Sequence, residues 1–353
     1  SNRAGPEPSS AERGAGRAVG GGPPAPRTDG GQSRGLRLAT GEVIAFLNAD
    51  DVRRLTDLPT LFGALEAALR DLSAGRASVP PRVVARTPDG FLGSMPGYLP
   101  GTALEAKLVA VFPGNHERGL PSHQALIALF DEETGVPLCV MDGTVVTAVR
   151  TGATSAVAAR ALARDDARTV AILGAGVQGR SHLDAFASLF ELDEIRVASR
   201  TARHADELAE LDPRARAVGS FEAAVRGADL VCCCTDAAEP VISREWLDPG
   251  THVSSVGVGA EVDPATVGAA SIFVEWRGAA EHPPPTGSAE LQGLDPSTIA
   301  EIGEVLAGDR PGRRSDEELT LYKSTGHAVE DAAAARLVFD RAGVEGAGQR
   351  FEL

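Results

Sequence analysis

The stretch TVAILGAGVQGRSHLDAF, residues 169–186, decides the fold of this 353-residue chain. An apolar run at residues 170–173 leads into Gly174, Gly176 and Gly179, whose spacing is G-x-G-x-x-G, and a helical pattern begins at once. A buried strand that passes through such glycines into a helix is typical of a dinucleotide-binding βαβ unit. The first glycine permits a tight turn, the second lets a diphosphate approach, and the third lets helix and strand pack closely. We therefore predict a dinucleotide site at these glycines.

The start of this helix supplies hydrogen-bond donors for the diphosphate. Backbone amides in the first turn of a helix have no partner within the helix, so they bind anions well. Val177 and Gln178 stand in that first turn, and we predict that both contact the cofactor.

The end of the next strand indicates which dinucleotide binds. An NAD site usually has an Asp or Glu about 20 residues past the glycines, which holds the ribose 2′-hydroxyl. Here the strand ends in Ser199, Arg200 and Thr201, with no acid at its tip. A guanidinium pairs with phosphate in a bidentate way, so these residues suit a 2′-phosphate. We predict NADP(H) over NAD(H), with Arg203 as a second contact. The alternative is that Arg200 is a solvated loop residue.

The rest of the chain divides by its pattern of elements. Strands alternate with helices from about Arg150 onward, which predicts a parallel, doubly wound sheet and an α/β fold class. The preceding section, from about residue 40 to 150, contains strands and helices without regular alternation, which indicates a smaller α+β domain. Residues 1–36 are rich in Gly, Pro, Ser and Arg, a composition that predicts a disordered tail.

Composition excludes several classes of partner. The formal net charge is −15, whereas a nucleic-acid binder needs a basic face. No apolar run approaches the roughly 18 residues that cross a bilayer, and no signal peptide is evident, so we expect no membrane partner. The cysteines, Cys139 and residues 232–234, lack the spacing of a metal site and are typical of small apolar residues in a reducing cytoplasm. We therefore expect a cytoplasmic protein without a metal.

Six blocks of sequence carry a family resemblance. They are KLVAVFPGN (107–115), GLPSH (119–123), DEETGVPLCVMDGTVVTAVRTGATSAVAARALAR (131–164), GAGVQG (174–179), GTHVSSVG (250–257) and ELTLYKSTGHAVEDAAAARLVF (318–339). In this order they resemble the ornithine cyclodeaminase/μ-crystallin family over residues 40–345. The resemblance implies a Rossmann domain, residues 152–326, inserted in a substrate-binding and dimerisation domain of residues 37–151 and 327–353. It also implies a homodimer.

The same resemblance implies the site residues. The family holds the α-carboxylate of an amino or imino acid with cationic side chains, and Arg82, Lys107 and Arg150 match those positions. Such a clamp is chemically sensible, because a bidentate Arg and further point charges hold Cα over the nicotinamide. Thr151 and Thr154, which we expect at the start of a helix, are predicted to bind cofactor phosphate. Further residues match family positions near the cofactor: Thr235, Val256, Lys323 and Ser324.

The sequence departs from the family in one loop. Cyclodeaminases carry an Asp just after the strand that here reads SSVG, and Gly259 stands in that position. We expect Glu261 and Asp263 at a helix start, where the helix dipole favours acids. The alternative is a rearranged loop that brings Glu261 into the site.

The proton donor is open at the level of sequence. Lys107, bound water, His116 and His123 are candidates, and a solvated or hydrogen-bonded role is the alternative for either histidine. We expect His327, which precedes a helix, to do no more than cap it.

The missing Asp favours a simple oxidoreductase, because ring closure with ammonia loss needs more placed proton-transfer groups than hydride transfer does. We expect an NAD(P)H-dependent oxidoreductase that acts at the Cα–N bond of an amino or imino acid. In family terms it would be a ketimine reductase, or alanine-dehydrogenase-like or opine-like. One alternative is a cyclodeaminase for ornithine or a related diamino acid. The other is a non-catalytic protein that binds NADPH and a small ligand.

Overall fold

The computed structural model describes residues 43–257 and 259–352. The predicted tail, residues 1–36, lies outside these residues. The described part contains fifteen strands and ten α-helices. The strands are β1 (Val43–Leu47), β2 (Val83–Arg86), β3 (Phe91–Leu99), β4 (Ala103–Val111), β5 (His123–Phe130), β6 (Pro137–Asp142), β7 (Thr169–Leu173), β8 (Glu194–Ala198), β9 (Ala215–Ala217), β10 (Leu230–Cys233), β11 (His252–Ser255), β12 (Ser271–Val274), β13 (Ala300–Glu301), β14 (Thr320–Lys323) and β15 (Gln349–Glu352). The helices are α1 (Ala49–Leu55), α2 (Leu58–Ser73), α3 (Gly143–Leu162), α4 (Val177–Leu189), α5 (Ala202–Ala209), α6 (Phe221–Val225), α7 (Pro264–Ala269), α8 (Gly278–Glu281), α9 (Ile302–Ala307) and α10 (Ala328–Glu345).

A mixed sheet holds the first six strands and the last one. Its order is β15–β1–β6–β5–β4–β3–β2, in which β1 and β6 are parallel and all other neighbours are antiparallel. Side chains alternate between its faces, so Glu105 and Lys107 of β4 both point to the buried face. Helix α10 packs over β3 and β4 on that face. Glu105 and Lys107 therefore lie between the sheet and helix α10.

A second sheet is parallel throughout. Its order is β13–β12–β14–β11–β10–β7–β8–β9. Counted from β7, the strands β9, β8, β7, β10 and β11 follow the order 3-2-1-4-5 of a doubly wound nucleotide-binding sheet. Residues 170–173 of β7 are fully buried, as expected for a central strand with helices on both faces. The predicted α/β fold class is confirmed.

Helix α3 begins earlier than predicted. We expected a helix to start near Thr151, but α3 starts at Gly143, where the Asp142 side chain accepts a hydrogen bond from the amide of Val145 at 2.7 Å. The segment GTVVTAVR is rich in β-branched residues, which favour strands. The helix is buried on almost every side, so it lacks the amphipathic period that marks a surface helix. The domain boundary predicted at residues 151 and 152 falls inside this helix, and the predicted domain limits stay predictions.

The chain end returns to the first sheet. Strand β15 pairs antiparallel with β1, with Phe351 opposite Ile44 and Gln349 opposite Phe46. Helix α10, which precedes β15, packs against α2 and α3. Within the described residues, no helix is both long and apolar enough to span a membrane.

Candidate active site

The glycine turn between β7 and α4 has the geometry that its spacing predicts. Gly174 has a φ of +104°, which favours glycine, and a Cβ there would press on the backbone of Cys234. A Cβ on Gly179 would overlap the carbonyl oxygen of Gly174, so this glycine sets how closely α4 crosses β7. A Cβ on Gly176 would meet nothing within 4 Å. The turn thus combines a tight bend, a close packing contact and one open edge.

That open edge is the start of α4. Gly176 is the N-cap residue, and no side chain caps the first amides of the helix. Val177 follows and is 65% exposed, although it is apolar. The side-chain oxygen of Gln178 is buried without a hydrogen-bond partner. Uncapped backbone amides beside open space at this helix start suit a bound diphosphate.

Ser199, Arg200 and Thr201 lie beside this turn. They follow the carboxyl end of β8, and the amide of Gly174 donates to the carbonyl of Ala198 at 2.8 Å. The Arg200 side chain is 85% exposed and lies 3.8 Å from a carboxylate oxygen of Asp236. Its guanidinium is therefore available for an anion at the edge of the nucleotide site.

Arg203, the second predicted contact, sits on α5. Its guanidinium donates to Glu207 at 2.7 Å within that helix. Arg203 is thus paired more closely than Arg200 is with Asp236. The predicted phosphate contacts of both residues stay predictions.

The other predicted cofactor residues collect at the same edge of the parallel sheet. Thr235 and Val256 come just after β10 and β11, and Lys323 and Ser324 come at the end of β14. Open α/β sheets bind ligands at the carboxyl ends of their strands. The arrangement is compatible with the predicted contacts, which stay predictions.

Glu261 ties these strand ends together. It is fully buried. One carboxylate oxygen accepts from the amide and hydroxyl of Thr235 at 2.6 and 2.7 Å, and the other accepts from the Ser255 hydroxyl at 2.8 Å and the Gly257 amide at 2.7 Å. With both oxygens engaged, Glu261 acts as a structural carboxylate.

The prediction that Glu261 starts a helix is wrong. Helix α7 begins at Pro264, after the loop in which Glu261 is buried. The prediction for Asp263 is confirmed, because its side chain caps α7 by accepting from the amide of Thr266 at 2.6 Å. At Gly259, where cyclodeaminases carry their Asp, a Cβ would collide with the carbonyl oxygen of Ala237. This loop conformation does not accept a side chain at that position.

Lys323 is also held by the protein. Its ammonium donates to the Ser255 hydroxyl at 2.9 Å and the Gly257 carbonyl at 2.8 Å, and it lies 2.7 Å from a Glu290 carboxylate oxygen. Its side chain is 1% exposed. Lys323 therefore links the carboxyl ends of β11 and β14.

Thr151 and Thr154 lie in the middle of α3, so the expected helix start at Thr151 is wrong. The Thr151 hydroxyl donates to the carbonyl of Thr147 at 2.7 Å, while the Thr154 hydroxyl is buried without a partner. Between them, a Cβ on Gly152 would collide with Ser181 of α4. Helix α3 thus packs tightly along the nucleotide-site helix. The predicted phosphate role of both threonines stays a prediction.

Two of the three predicted carboxylate-binding cations meet on one aspartate. The Lys107 ammonium lies 2.6 Å from one oxygen of Asp331, and the Arg150 guanidinium donates to the other oxygen at 2.9 Å. Arg150 also donates to Glu330 at 2.5 Å. Burial opposes ionisation of Asp331, yet Arg150 and Lys107 lower its pKa. Both cations therefore have buried counter-ions on the first turn of α10.

Arg82 reaches the same region without a counter-ion. Its guanidinium donates to the carbonyls of Thr325 and Gly326 at 2.8 and 3.0 Å. In the described part of the chain, no carboxylate lies within 4.0 Å of it. Burial lowers the pKa of Arg82 and the positive charge of Arg150 lowers it further, whereas the nearby carboxylates of Asp331, Glu275 and Glu330 raise it. Among the described residues, this guanidinium therefore has acids nearby but no carboxylate in direct contact.

Glu105 adds a buried acid to the cluster. It lies two residues before Lys107 on the same face of β4 and is 2% exposed, and neither carboxylate oxygen has a hydrogen-bond partner. Burial raises its pKa well above the usual range, and the charge of Asp331 raises it further. Burial and the charge of Asp331 therefore both disfavour the charged form of Glu105.

A cavity of about 20 Å³ adjoins Arg82. Its walls include Met95 from the first sheet, and Trp276 and His327 from segments that follow β12 and β14. His327 occupies the predicted cap position of α10, but its side chain forms no capping hydrogen bond. Instead its ring lies 5.4 Å from that of Trp276. The expectation that His327 only caps the helix is wrong.

The two histidines considered as proton donors are not among the residues that line this cavity. His123 begins β5, and its Nδ1 lies 3.0 Å from the hydroxyl of Ser122. Burial lowers its pKa, Asp236 raises it and Lys107 lowers it. His116 belongs to a short 3₁₀ turn, Pro113–Arg118. A catalytic role for either histidine stays a prediction.

Sequence reasoning missed the acids of the cluster. Glu330 and Asp331 were not singled out, nor was Glu275, which accepts hydrogen bonds from the Ser324 hydroxyl and the Gly326 amide. A signal existed in AVEDAAAA, residues 328–335, where two acids interrupt a run of small apolar residues. Acids within such a run are buried with it, and buried acids need cationic partners.

Comparisons with known proteins identify the family and the fold of this chain. A family model described as "Ornithine cyclodeaminase/mu-crystallin family" matches residues 42–346. The ketimine reductase mu-crystallin of Rattus norvegicus is 40% identical over 308 residues, which cover 84% of this chain and 96% of that protein.

Solved structures share the fold over almost their whole length. The Δ1-pyrroline-2-carboxylate reductase of Thermococcus litoralis, in complex with NADH and L-proline, has a TM-score of 0.81 and 34% identity, covering 87% of this chain and 99% of that one. An archaeal alanine dehydrogenase dimer with bound NAD has a TM-score of 0.79 and 31% identity, covering 88% of this chain and 99% of that one.

Proposed function

Because the chain belongs to the ornithine cyclodeaminase/mu-crystallin family, we propose that it is an NAD(P)H-dependent oxidoreductase acting at the Cα–N bond of a small amino or imino acid. The observation that carries the proposal is Arg82, a mostly buried guanidinium without a counter-ion beside a cavity. Arg82 contacts the backbone just after β14, at the edge of the parallel sheet that also carries the glycine turn. A carboxylate on Arg82 would therefore hold Cα close to the cofactor edge.

The cluster supplies what reduction of an imino acid requires. A bound nicotinamide cofactor supplies the hydride to Cα. Arg82 binds the carboxylate, and the positive field of Lys107 and Arg150 favours the anionic ligand. Lys107 is the proton donor for the nitrogen, since burial lowers the pKa of its ammonium while Asp331 holds it in place. Hydride at Cα and a proton at nitrogen convert the imine to the amine.

The cofactor is proposed to be NADP(H). Arg200 is largely exposed at the tip of β8, where it can pair with a 2′-phosphate. In Arg200→Ala we expect the Kd for NADPH to rise about tenfold, equivalent to ~1.4 kcal/mol, with the Kd for NADH unchanged. A fluorescence titration measures both constants, with Arg168→Ala, at the opposite end of β7, as the control. Equal changes for the two cofactors in Arg200→Ala would contradict the assignment.

A cyclodeaminase reaction is less well supported. It needs a placed acid where Gly259 stands, and the candidate substitute, Glu261, already accepts four hydrogen bonds. A purely binding role is also less well supported, because Lys107, whose pKa is lowered by burial, is held by Asp331 as a placed proton donor. We retain the oxidoreductase as the proposed function.

We further propose a cytoplasmic homodimer. The face of the first sheet opposite α10 exposes Leu92, Leu108 and Leu126, which are 47%, 43% and 50% exposed. Contiguous apolar residues on a sheet face favour a protein partner, and a second copy of the chain is proposed here. The free cysteines favour a reducing compartment.

A screen for NADPH oxidation tests the proposed function. Purified protein is supplied with cyclic imino acids, or with 2-oxo acids plus an amine, and we expect oxidation with at least one of them. If the purified protein is folded and binds NADPH but turns over none of these substrates, the oxidoreductase proposal is overturned.

A further inference from the structure

His327 has an unusual environment for a histidine at a helix start. It is 5% exposed, and its Nδ1 is buried without a hydrogen-bond partner in the protein. Buried polar atoms are nearly always paired, and leaving one unpaired costs stability. Of the described residues that carry such an atom, His327 alone also lines the cavity beside Arg82. An imidazole with an unpaired nitrogen therefore borders the cavity beside Arg82.

The surroundings keep this imidazole uncharged. Burial lowers the pKa of His327 to about 4, and the nearby cations Arg82, Arg150 and Lys107 lower it further, although Asp331 raises it. A neutral imidazole has one donor and one acceptor nitrogen. It is therefore a partner for an uncharged polar group.

The cavity sets the size of that group. Its volume of about 20 Å³ is enough for a group the size of one water molecule. Met95 and Trp276 make neighbouring parts of its wall apolar, while His327, Arg82 and Thr286 are its polar side chains. A substrate whose carboxylate binds Arg82 would direct a short side chain along this wall.

We propose that His327 is a specificity-determining residue that hydrogen-bonds a hydroxyl group on the side chain of the substrate. A hydroxyl both donates and accepts, so it satisfies the imidazole in either tautomer. A methyl group in the same place leaves the buried nitrogen unpaired, and sites built around a hydrogen bond discriminate strongly against such analogues. This inference rests on the proposed function and specifies its substrate class as hydroxyl-bearing amino and imino acids.

Matched substrates test the inference. Hydroxypyruvate and 2-oxobutyrate, each with excess ammonium and NADPH, differ by a hydroxyl in place of a methyl group. We expect the kcat/KM ratio to favour hydroxypyruvate at least about tenfold in the wild type, and to fall to near one in His327→Leu. His327→Asn, which keeps a polar group, is expected to retain part of the preference.

His282→Leu is the matched control. Its ring also lies 5.4 Å from that of Trp276, but its side chain is not part of the cavity wall, so the ratio should stay at the wild-type value. The inference is overturned if the wild type does not prefer hydroxypyruvate, or if His327→Leu and His327→Asn both keep the full preference. Thermal denaturation checks that each variant is folded.

A binding measurement separates this inference from the proposed function. With NADP⁺ present, the Kd values of L-serine and L-2-aminobutyrate are measured by calorimetry. If no substrate turns over, the proposed oxidoreductase fails. Tighter binding of serine that is lost in His327→Leu still supports the role of His327, and equal binding of the two amino acids overturns it.

Discussion

Arg82, Lys107 and Arg150 carry the same charge but differ in their counter-ions. Lys107 and Arg150 share Asp331, whereas Arg82 donates only to backbone carbonyls among the described residues. Removing a guanidinium that binds the substrate carboxylate costs substrate affinity without leaving a buried acid unpaired. The three positions are therefore expected to respond differently to mutation.

For Arg82→Met we expect the KM for the imino acid to rise roughly 10- to 100-fold, since a hydrogen bond to a charged group contributes about 1.5–3 kcal/mol. The Kd for NADPH should not change. Arg86→Met is the control, because Arg86 is exposed at the far end of β2. Steady-state kinetics measure the effect, and an unchanged KM in Arg82→Met would contradict the carboxylate-binding role.

For Asp331→Asn we expect a loss of about 3–5 kcal/mol in the free energy of unfolding, because buried Lys107 loses its counter-ion and buried Arg150 keeps only Glu330. Asp340→Asn on the same helix should cost less than about 0.5 kcal/mol, since its pair with Arg336 is exposed. Denaturant unfolding measures both variants. A similar small loss in the two would contradict the buried-charge account.

The pH dependence has a definite sign. The pKa of Asp331 is lowered in the folded protein, so its contribution is present above the usual value of 3.8 and is lost as the pH falls through the folded pKa. The stabilities of wild type and Asp331→Asn should therefore converge at acidic pH.

Some residues of this charged cluster could be predicted from the sequence, and others could not. The three cations were predicted because they lie in recognisable family motifs. Glu330 and Asp331 were missed, since their partners Lys107 and Arg150 lie about 180 residues or more away in the chain and only the fold brings them together. His327 was misread because a polar residue before a helix is usually a cap.

At the level of elements, two glycines of the β7–turn–α4 unit have different roles. Gly179 is needed for packing, while Gly176 leaves space that a ligand can use. The φ of Gly176 is −89°, which other residues adopt easily. Substitutions at the two glycines should therefore separate stability from cofactor binding.

For Gly179→Ala we expect a loss of about 1–3 kcal/mol in stability, because the new methyl group overlaps the backbone at Gly174. For Gly176→Ala we expect stability within about 0.5 kcal/mol of wild type, but a Kd for NADPH raised about tenfold or more. Thermal denaturation and fluorescence titration measure the pair. A Gly176→Ala variant that binds NADPH normally would contradict the diphosphate position.

Elements were predictable where a local period existed. The strands of the parallel sheet and the β5–β6 turn follow from apolar runs and turn residues. The first half of α3 did not, because a helix buried on all sides has no polar face to reveal its period. Strand β15 has four exposed residues, and its pairing with β1 depends on tertiary contacts that no local pattern encodes.

On the scale of the whole molecule, the first sheet contributes Glu105 and Lys107 to the buried charged cluster. The parallel sheet carries the glycine turn at the carboxyl ends of its strands. The exposed face of the first sheet is the proposed dimer surface. Leu108 and Leu126 are register partners across β4 and β5, so charges placed there fall at the centre of that face.

In size-exclusion chromatography with light scattering, we expect a dimer for the wild type and a monomer for the double variant Leu108→Glu, Leu126→Glu. Like charges brought together by two copies oppose association. Leu211→Glu is the control, since Leu211 is 45% exposed but follows α5 in the other sheet region. A double variant that remains dimeric would contradict the proposed surface.

The central claim is that hydride passes from the reduced cofactor to Cα of an imino acid. The most direct test uses NADPH deuterated at both C4 positions, with a substrate identified by the oxidation screen, and mass spectrometry of the amino acid product. We predict one deuterium, located at Cα. A product that carries no deuterium at Cα would contradict the account.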